Sequence, residues 1–259
     1  MSPYIRTAGD QVIISLFDDE TCPLSDKDLF KDYKKKRKTV DIHNSKFYLP
    51  NYDIDLIQKW MYSTHSYFEE DFLKNLDDYL DNNAVIIDIG ANIGNHTLFW
   101  ANEKNAKKIY AIEPVPYIFK ILKKNIKINN LEDRVKLYNV GLADKKCQGE
   151  IKSFCKQNLG GTTLKVLQSN TQFTIPMRTL DSLNIKEEKI DLIKIDVEGM
   201  DYEVLKGAES TVKKHKPLIL TESFPNSFDK SNAFLTELGY KLEKDFGSFE
   251  YLYIYNGEQ

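Results

Sequence analysis

The chain has 259 residues and a formal net charge of −3, with 41% hydrophobic, 29% charged and 12% aromatic residues, a composition that excludes a largely disordered chain. Its near-balanced charge offers no broad attraction to nucleic acid or anionic lipid, so contact with either would need a local basic patch. No stretch approaches the roughly 18 apolar residues of a membrane-crossing helix, and the opening Met-Ser-Pro-Tyr-Ile-Arg-Thr lacks a basic segment followed by an apolar core, so a cytoplasmic location is expected.

In chain order, residues 1–83 read as an N-terminal extension packing on a catalytic domain of residues 84–259. Within the extension, Val12–Phe17 has the character of a strand, and Leu56–Tyr62 and Phe68–Leu80 have helical spacing. The run Lys31-Asp-Tyr-Lys-Lys-Lys-Arg-Lys38 has one interleaved aromatic, Tyr33, and reads as a solvated face that defines no partner. The cysteines, Cys22, Cys147 and Cys155, are odd in number and form no Cys-x-x-Cys pair, so reduced thiols are expected. There is no internal repeat or low-complexity segment.

From Ala84 onward short apolar runs alternate with segments of helical period, which predicts an α/β fold, a mostly parallel sheet with helices on both faces. The predicted parallel strands are Val85–Ile89, Lys108–Ile112, Val135–Val140, Asp191–Ile195 and Pro217–Thr221. Ile118, Phe119, Leu122 and Ile126 share one helical face, and Val204, Leu205, Ala208 and Val212 share the face of a helix expected over Asp201–Lys214. A third helix, carrying Phe234, Leu235 and Leu238, ends at Gly239. Phe249–Tyr255 alternates in the manner of a late antiparallel strand. Glu150–Phe154 and Phe173–Arg178 read as an inserted pair of strands around Asn158–Thr163, whose Gly160-Gly161 marks a turn or loop, and this insertion is expected over the substrate.

Open α/β sheets bind ligands at the carboxyl ends of their strands. The first strand runs into Asp88-Ile-Gly-Ala-Asn-Ile-Gly-Asn-His-Thr97, where Gly90 and Gly94 permit a sharp turn and close approach of a ligand. A dinucleotide fingerprint requires Gly-x-Gly-x-x-Gly, and here Asn92 and Asn95 stand at the second and third glycine positions. The loop therefore favours S-adenosylmethionine, which has no pyrophosphate to cradle and whose cationic amino group suits the acid Asp88, over a nicotinamide dinucleotide. The second strand ends at Glu113-Pro114, about where an acid accepts ribose hydroxyls. The third ends at Gly141-Leu142, where backbone and apolar atoms would flank an adenine. The candidate donor-binding residues are thus Asp88, Gly90, Ala91, Asn92, Gly94, Asn95, His96, Thr97, Glu113, Pro114, Gly141 and Leu142.

Together with Thr179-Leu-Asp-Ser-Leu183, Ile193-Lys-Ile-Asp-Val-Glu-Gly199, Val204-Leu-Lys-Gly207 and Glu222, these motifs make roughly residues 84–222 resemble the FkbM-type methyltransferase family. The resemblance implies a Rossmann-like class I methyltransferase sheet, S-adenosylmethionine as donor, and O-methylation of a hydroxyl, commonly on a sugar of a glycan or on a natural product.

Methyl transfer from a sulfonium requires an aligned acceptor oxygen and a group to manage its proton. Asp196, at a strand end, is the candidate base or orienter, with Glu198 beside it and Glu222 as a third candidate for binding sugar hydroxyls. Lys194 reads as a structural partner within the strand, and His96 either contacts the donor or packs at the helix start. The same carboxylates with His96 are groups that a hard cation such as magnesium would use, but their spacing does not call for one, and the reading takes no metal. His65, Tyr67, Phe68 and Glu69 read first as a packing cluster, with capping of the donor or acceptor as the alternative, and Phe249, Tyr251, Tyr253 and Tyr255 as sheet packing, with stacking on sugar rings as the alternative.

The expectation is an O-methyltransferase acting on a carbohydrate hydroxyl of a nucleotide-linked sugar, surface glycan or capsule component. A natural-product acceptor stays open, and a nicotinamide-dependent oxidoreductase and a non-enzymatic partner-binding module are the competing readings. The partners expected are a small-molecule or glycan substrate, without nucleic acid or a membrane span, and with a homo-oligomer left open.

Overall fold

The computed structural model describes residues 38–155, 157–167 and 174–257, together with the strand backbone of 4–8 and 11–15. Cys22, residues 31–37 of the basic run, Leu16 and Phe17 at the end of the first expected strand, and Phe173 at the start of a later one lie outside the described residues. Strands β1 (Tyr4–Ala8) and β2 (Gln11–Ser15) form an antiparallel pair. A second hairpin, β3 (Thr39–Ile42) and β4 (Ser45–Tyr48), has no counterpart in the sequence reading. Its signal is alternation: Val40, Ile42 and Phe47 are buried while Thr39, Asp41 and Lys46 face outward.

Helix α1 (Leu56–Thr64) begins where the Asp55 carboxylate accepts the Gln58 amide, at 2.9 Å, an N-cap that satisfies an orphan donor. The helix expected over Phe68–Leu80 shortens to α2 (Glu70–Lys74). Beyond it Asn75, Asp77 and Asp78, whose side chains favour turns over helix interiors, carry the chain through turns to the sheet.

The central sheet comprises β5 (Val85–Ile89), β6 (Lys108–Ile112), β7 (Val135–Tyr138), β12 (Leu192–Ile195), β13 (Leu218–Glu222), β14 (Tyr240–Asp245) and β15 (Glu250–Tyr255), in the order β14-β15-β13-β12-β5-β6-β7. The first five are mutually parallel; β15 runs antiparallel to β13, and β14 antiparallel to β15. All five residues of β5 are buried, as a strand covered on both faces requires. Edge strand β14 escapes the sequence reading because four of its six residues, Lys241, Glu243, Lys244 and Asp245, are charged and turned largely to solvent, which suits an edge.

Helices α3 (Asn95–Asn102) and α4 (Pro116–Ile128) cover one face, packing Leu98, Trp100, Ile118, Leu122 and Ile126 against Ile86 and Ile109. The other face carries α5 (Asp201–Lys206), α6 (Glu209–His215) and α7 (Phe228–Glu237), with Val204, Leu205, Val212 and Leu235 against Val85, Ile87 and Ile193. The single helix expected over Asp201–Lys214 is broken at Gly207. A Cβ there would lie 2.1 Å from the Ala143 carbonyl oxygen. The Gly207 carbonyl accepts the Asp181 amide, and the Asp181 carboxylate in turn accepts the Ser210 and Thr211 amides that open α6.

A separate four-stranded sheet, β10-β9-β11-β8, is built from β8 (Gly141–Leu142), β9 (Cys147–Cys155), β10 (Asn158–Val166) and β11 (Ile175–Arg178). Asn158–Thr163, expected as a turn or loop, is therefore part of a strand; its glycines sit at a register shift in the pairing with β9, the setting in which glycine marks a bulge. Among the described residues no helix is long and apolar enough to cross a membrane.

Candidate active site

A pocket of about 1020 Å³, its open mouth included, lies at the carboxyl ends of β5, β6 and β12. Gly90, Ala91, Asn92, Glu113, Pro114, Gly141, Leu142, Asp196 and Glu198 line it from the sheet side. Ile57 of α1, Phe68 and Glu69 ahead of α2, and Asn158, Leu159 and Gly160 of β10 contribute much of its remaining wall.

The β5–α3 loop is tied down at each end. Gly90 has a left-handed φ of +78°, and a Cβ there would stand 1.7 Å from the Asp196 backbone oxygen, so the loop can lie against the end of β12 only with glycine at this position. The Asn125 side chain donates to the Ile93 carbonyl at 2.8 Å. Asn95 makes a two-way bond with the Phe68 backbone, accepting at 3.0 Å and donating at 2.8 Å. Next to it the His96 Nε2 lies 3.3 Å from a Glu69 carboxylate oxygen. Phe68 and Glu69, read first from sequence as packing residues, are thereby fastened to the loop and become pocket wall, whereas Tyr67 is fully buried and His65 is exposed.

Glu113 is 5% exposed and accepts the amides of Asn92 at 3.0 Å and Val115 at 2.8 Å. Burial pushes its carboxyl up to about 7, against the pull of those two amides and of Lys194. The carbonyls of Glu113 and Pro114 are held by the Asn139 side chain.

After β12 the backbone turns sharply, with positive φ at both Glu198 (+53°) and Gly199 (+94°); for glutamate this conformation is uncommon and a mark of a constrained turn. The turn brings Asp196, Glu198 and Glu222 together, one carboxylate oxygen of each within 4.8 Å of the others. Such a cluster favours proton sharing or a bound cation, and among the described residues it is the group at this pocket able to hold a metal. The sequence reading groups these three carboxylates with His96; the fold joins the three, Glu222 arriving from the neighbouring strand β13, while His96 faces Glu69 instead.

Of the expected donor-binding residues, nine line the pocket: Gly90, Ala91, Asn92, Asn95, His96, Glu113, Pro114, Gly141 and Leu142. Asp88, Gly94 and Thr97 stand behind that wall. Asp88 is fully buried; it accepts the Thr97 hydroxyl at 2.5 Å and faces Lys194 at 3.3 Å, so its charge is engaged inside the fold and is not presented to a ligand's amino group. Gly94 faces the side chains of Leu122 and Leu98, where its missing side chain lets α4 pack closely. The segment Asn158–Thr163, expected from sequence as a turn or loop over the substrate, supplies the wall residues Asn158, Leu159, Gly160 and Thr162, but as part of strand β10.

The methyltransferase FkbM domain family matches residues 88–242, more than half of the chain. Methyltransferase sdnD of Sordaria araneosa is 27% identical over 201 residues, covering 64% of this chain and 77% of that protein. The hexuronic acid methyltransferase AglP of Haloferax volcanii is 27% identical over 149 residues, covering 56% of this chain and 58% of AglP. Among solved structures, the FkbM methyltransferase of Methylobacillus flagellatus KT shares the fold at 19% identity and a TM-score of 0.50, over 68% of this chain and 44% of that one. A glycine loop against the end of β12, a buried acid at the end of β6 and a match running from Asp88 through β13 all coincide, and the chain belongs to the FkbM methyltransferase family.

Proposed function

We propose that this protein is an S-adenosylmethionine-dependent O-methyltransferase acting on a carbohydrate hydroxyl. The observation that carries the donor assignment is the charge of the pocket: its lining holds Glu69, Glu113, Asp196 and Glu198, and Lys194 is the one lysine or arginine among the described residues that line it. Such a wall suits a ligand of net positive charge and opposes a pyrophosphate. Asn92 Oδ1 is buried and finds no hydrogen-bond partner among the described residues, and Glu113 retains lone pairs beyond those its two amides use. Both are acceptors for the hydroxyl and amino groups of a nucleoside with an amino-acid tail.

When bound, S-adenosylmethionine supplies a methyl group activated by a cationic sulfur. The protein's part is then to aim an acceptor oxygen and take its proton. Asp196 accepts that proton as the oxygen gains the methyl, while Glu198 and Glu222 hold the acceptor's neighbouring hydroxyls. Support for a sugar acceptor comes from the similarity to AglP, whose name states a hexuronic acid substrate.

Titration calorimetry with S-adenosylmethionine, S-adenosylhomocysteine and NAD tests the donor. Binding of the first two without NAD is the expected result; NAD binding alone overturns the reading in favour of an oxidoreductase. A methyl-transfer screen over nucleotide sugars and polysaccharide fragments then identifies the acceptor.

A further inference from the structure

Lys194 sits in the middle of β12, where its neighbours Leu192, Ile193 and Ile195 are apolar and buried. Its side chain is 6% exposed. A cation in such a place carries a desolvation cost that an aliphatic side chain of similar volume would avoid. Its ammonium is satisfied by three oxygens: the Gly90 carbonyl at 2.9 Å, Asp88 Oδ1 at 3.3 Å and Asp196 Oδ2 at 3.3 Å. Burial alone would depress the ammonium, but Asp196 and Asp88 outweigh it and hold it above its ordinary 10.5, so it is a permanent cation. Two of those partners, Gly90 and Asp196, are pocket wall, while Asp88 lies behind it. The same charge is felt at Glu113, where it pulls against the burial that raises that carboxyl.

We propose that Lys194 is a positioning residue that sets the electrostatic balance between methyl donor and demethylated product: it fixes the Gly90 carbonyl and the Asp196 carboxylate at the wall and cancels part of their negative charge. This rests on the assignment of the pocket to S-adenosylmethionine. Donor and product differ by one positive charge at sulfur and by one methyl group. The ratio of their affinities therefore reports the local charge, whereas a purely structural loss weakens both alike.

The test is titration calorimetry of S-adenosylmethionine and S-adenosylhomocysteine against the wild type, Lys194→Met and Asp196→Asn at one pH and ionic strength. Lys194→Met leaves one more uncompensated negative charge and raises the preference for the cationic donor by roughly threefold to tenfold. Asp196→Asn removes a negative charge and lowers that preference by a similar factor. Equal weakening of both ligands in Lys194→Met, with the ratio unchanged, overturns the proposal. If Lys194→Met does not fold, Asp196→Asn decides alone, and an unchanged ratio there overturns it. A wild type that binds neither ligand overturns the donor assignment along with the proposal; a wild type that binds both, with a ratio insensitive to either substitution, overturns the proposal only.

Discussion

Glu113 is the residue at which burial and the proposed donor binding oppose each other. Its carboxyl is raised from 4.5 to about 7 by burial, so the empty protein favours the protonated form below that value. Because the folded value exceeds the unfolded one, this group's contribution to stability is complete below about 4.5 and is lost as pH rises through 7. A ribose hydroxyl is better accepted by the carboxylate than by the neutral acid. Donor affinity should accordingly strengthen several-fold between about pH 6 and 8 and then level off, and the donor-induced rise in melting temperature should grow over the same interval. Calorimetric titrations at about pH 6, 7 and 8 check this; a flat profile would remove Glu113 from the donor site. The position of this acid after the second strand is legible in the sequence, since strand end and spacing are local properties. The orientation of Asp88 is not, because whether a strand-end carboxylate faces a ligand or a buried lysine depends on what the adjacent strand places beside it.

Between secondary-structure elements, Asp55 joins α1 to the roof of the pocket. One carboxylate oxygen caps the helix through the Gln58 amide and the other accepts the Leu159 amide of β10 at 2.8 Å. The Leu56 amide adds a 2.6 Å bond to the Gln157 carbonyl. Burial raises the Asp55 carboxyl from 3.8 to about 6, so its stabilising contribution is complete below the lower value and declines as pH rises through the upper one. Asp55→Ala should cost roughly 1–3 kcal/mol, from a lost cap and a buried amide left unpaired. The loss should be largest near about pH 4 and shrink toward about pH 7, as measured by thermal unfolding at both pH values. A loss that grows with pH would mean that the carboxylate form is the one the fold prefers. Sequence spacing locates α1 and all five parallel strands of the sheet. It misses β14, whose exposed charged residues carry no core-facing pattern, and merges α5 with α6, because the contacts made at the break, Gly207 with the Ala143 carbonyl and with the Asp181 amide, come from distant segments.

Throughout the protein the segment before the sheet and the sheet itself share apolar contacts: Val40, Phe47, Leu49, Met61 and Leu73 lie in one core with Ile86, Leu98, Trp100 and Leu122. We expect residues 38–83 and the sheet to unfold together. The chain has two tryptophans: Trp60 packs on Phe68 before the sheet, and Trp100 packs on His96 beside the β5–α3 loop. Denaturant transitions followed by fluorescence in Trp60→Phe and in Trp100→Phe should each match the transition followed by circular dichroism in the same variant. A fluorescence midpoint that departs from the circular dichroism midpoint would show that the two regions unfold independently. The α/β class, the parallel strands and the glycine loop are readable from the order of amino acids, because apolar periodicity and glycine positions are written residue by residue. That Lys194 stands between Asp88 and Asp196, that Asn95 fastens Phe68 to the glycine loop, and that Asp55 ties α1 to β10 emerge only once the chain is folded. Each of these is a meeting of residues brought together by strand order and packing, and no local pattern records such a meeting.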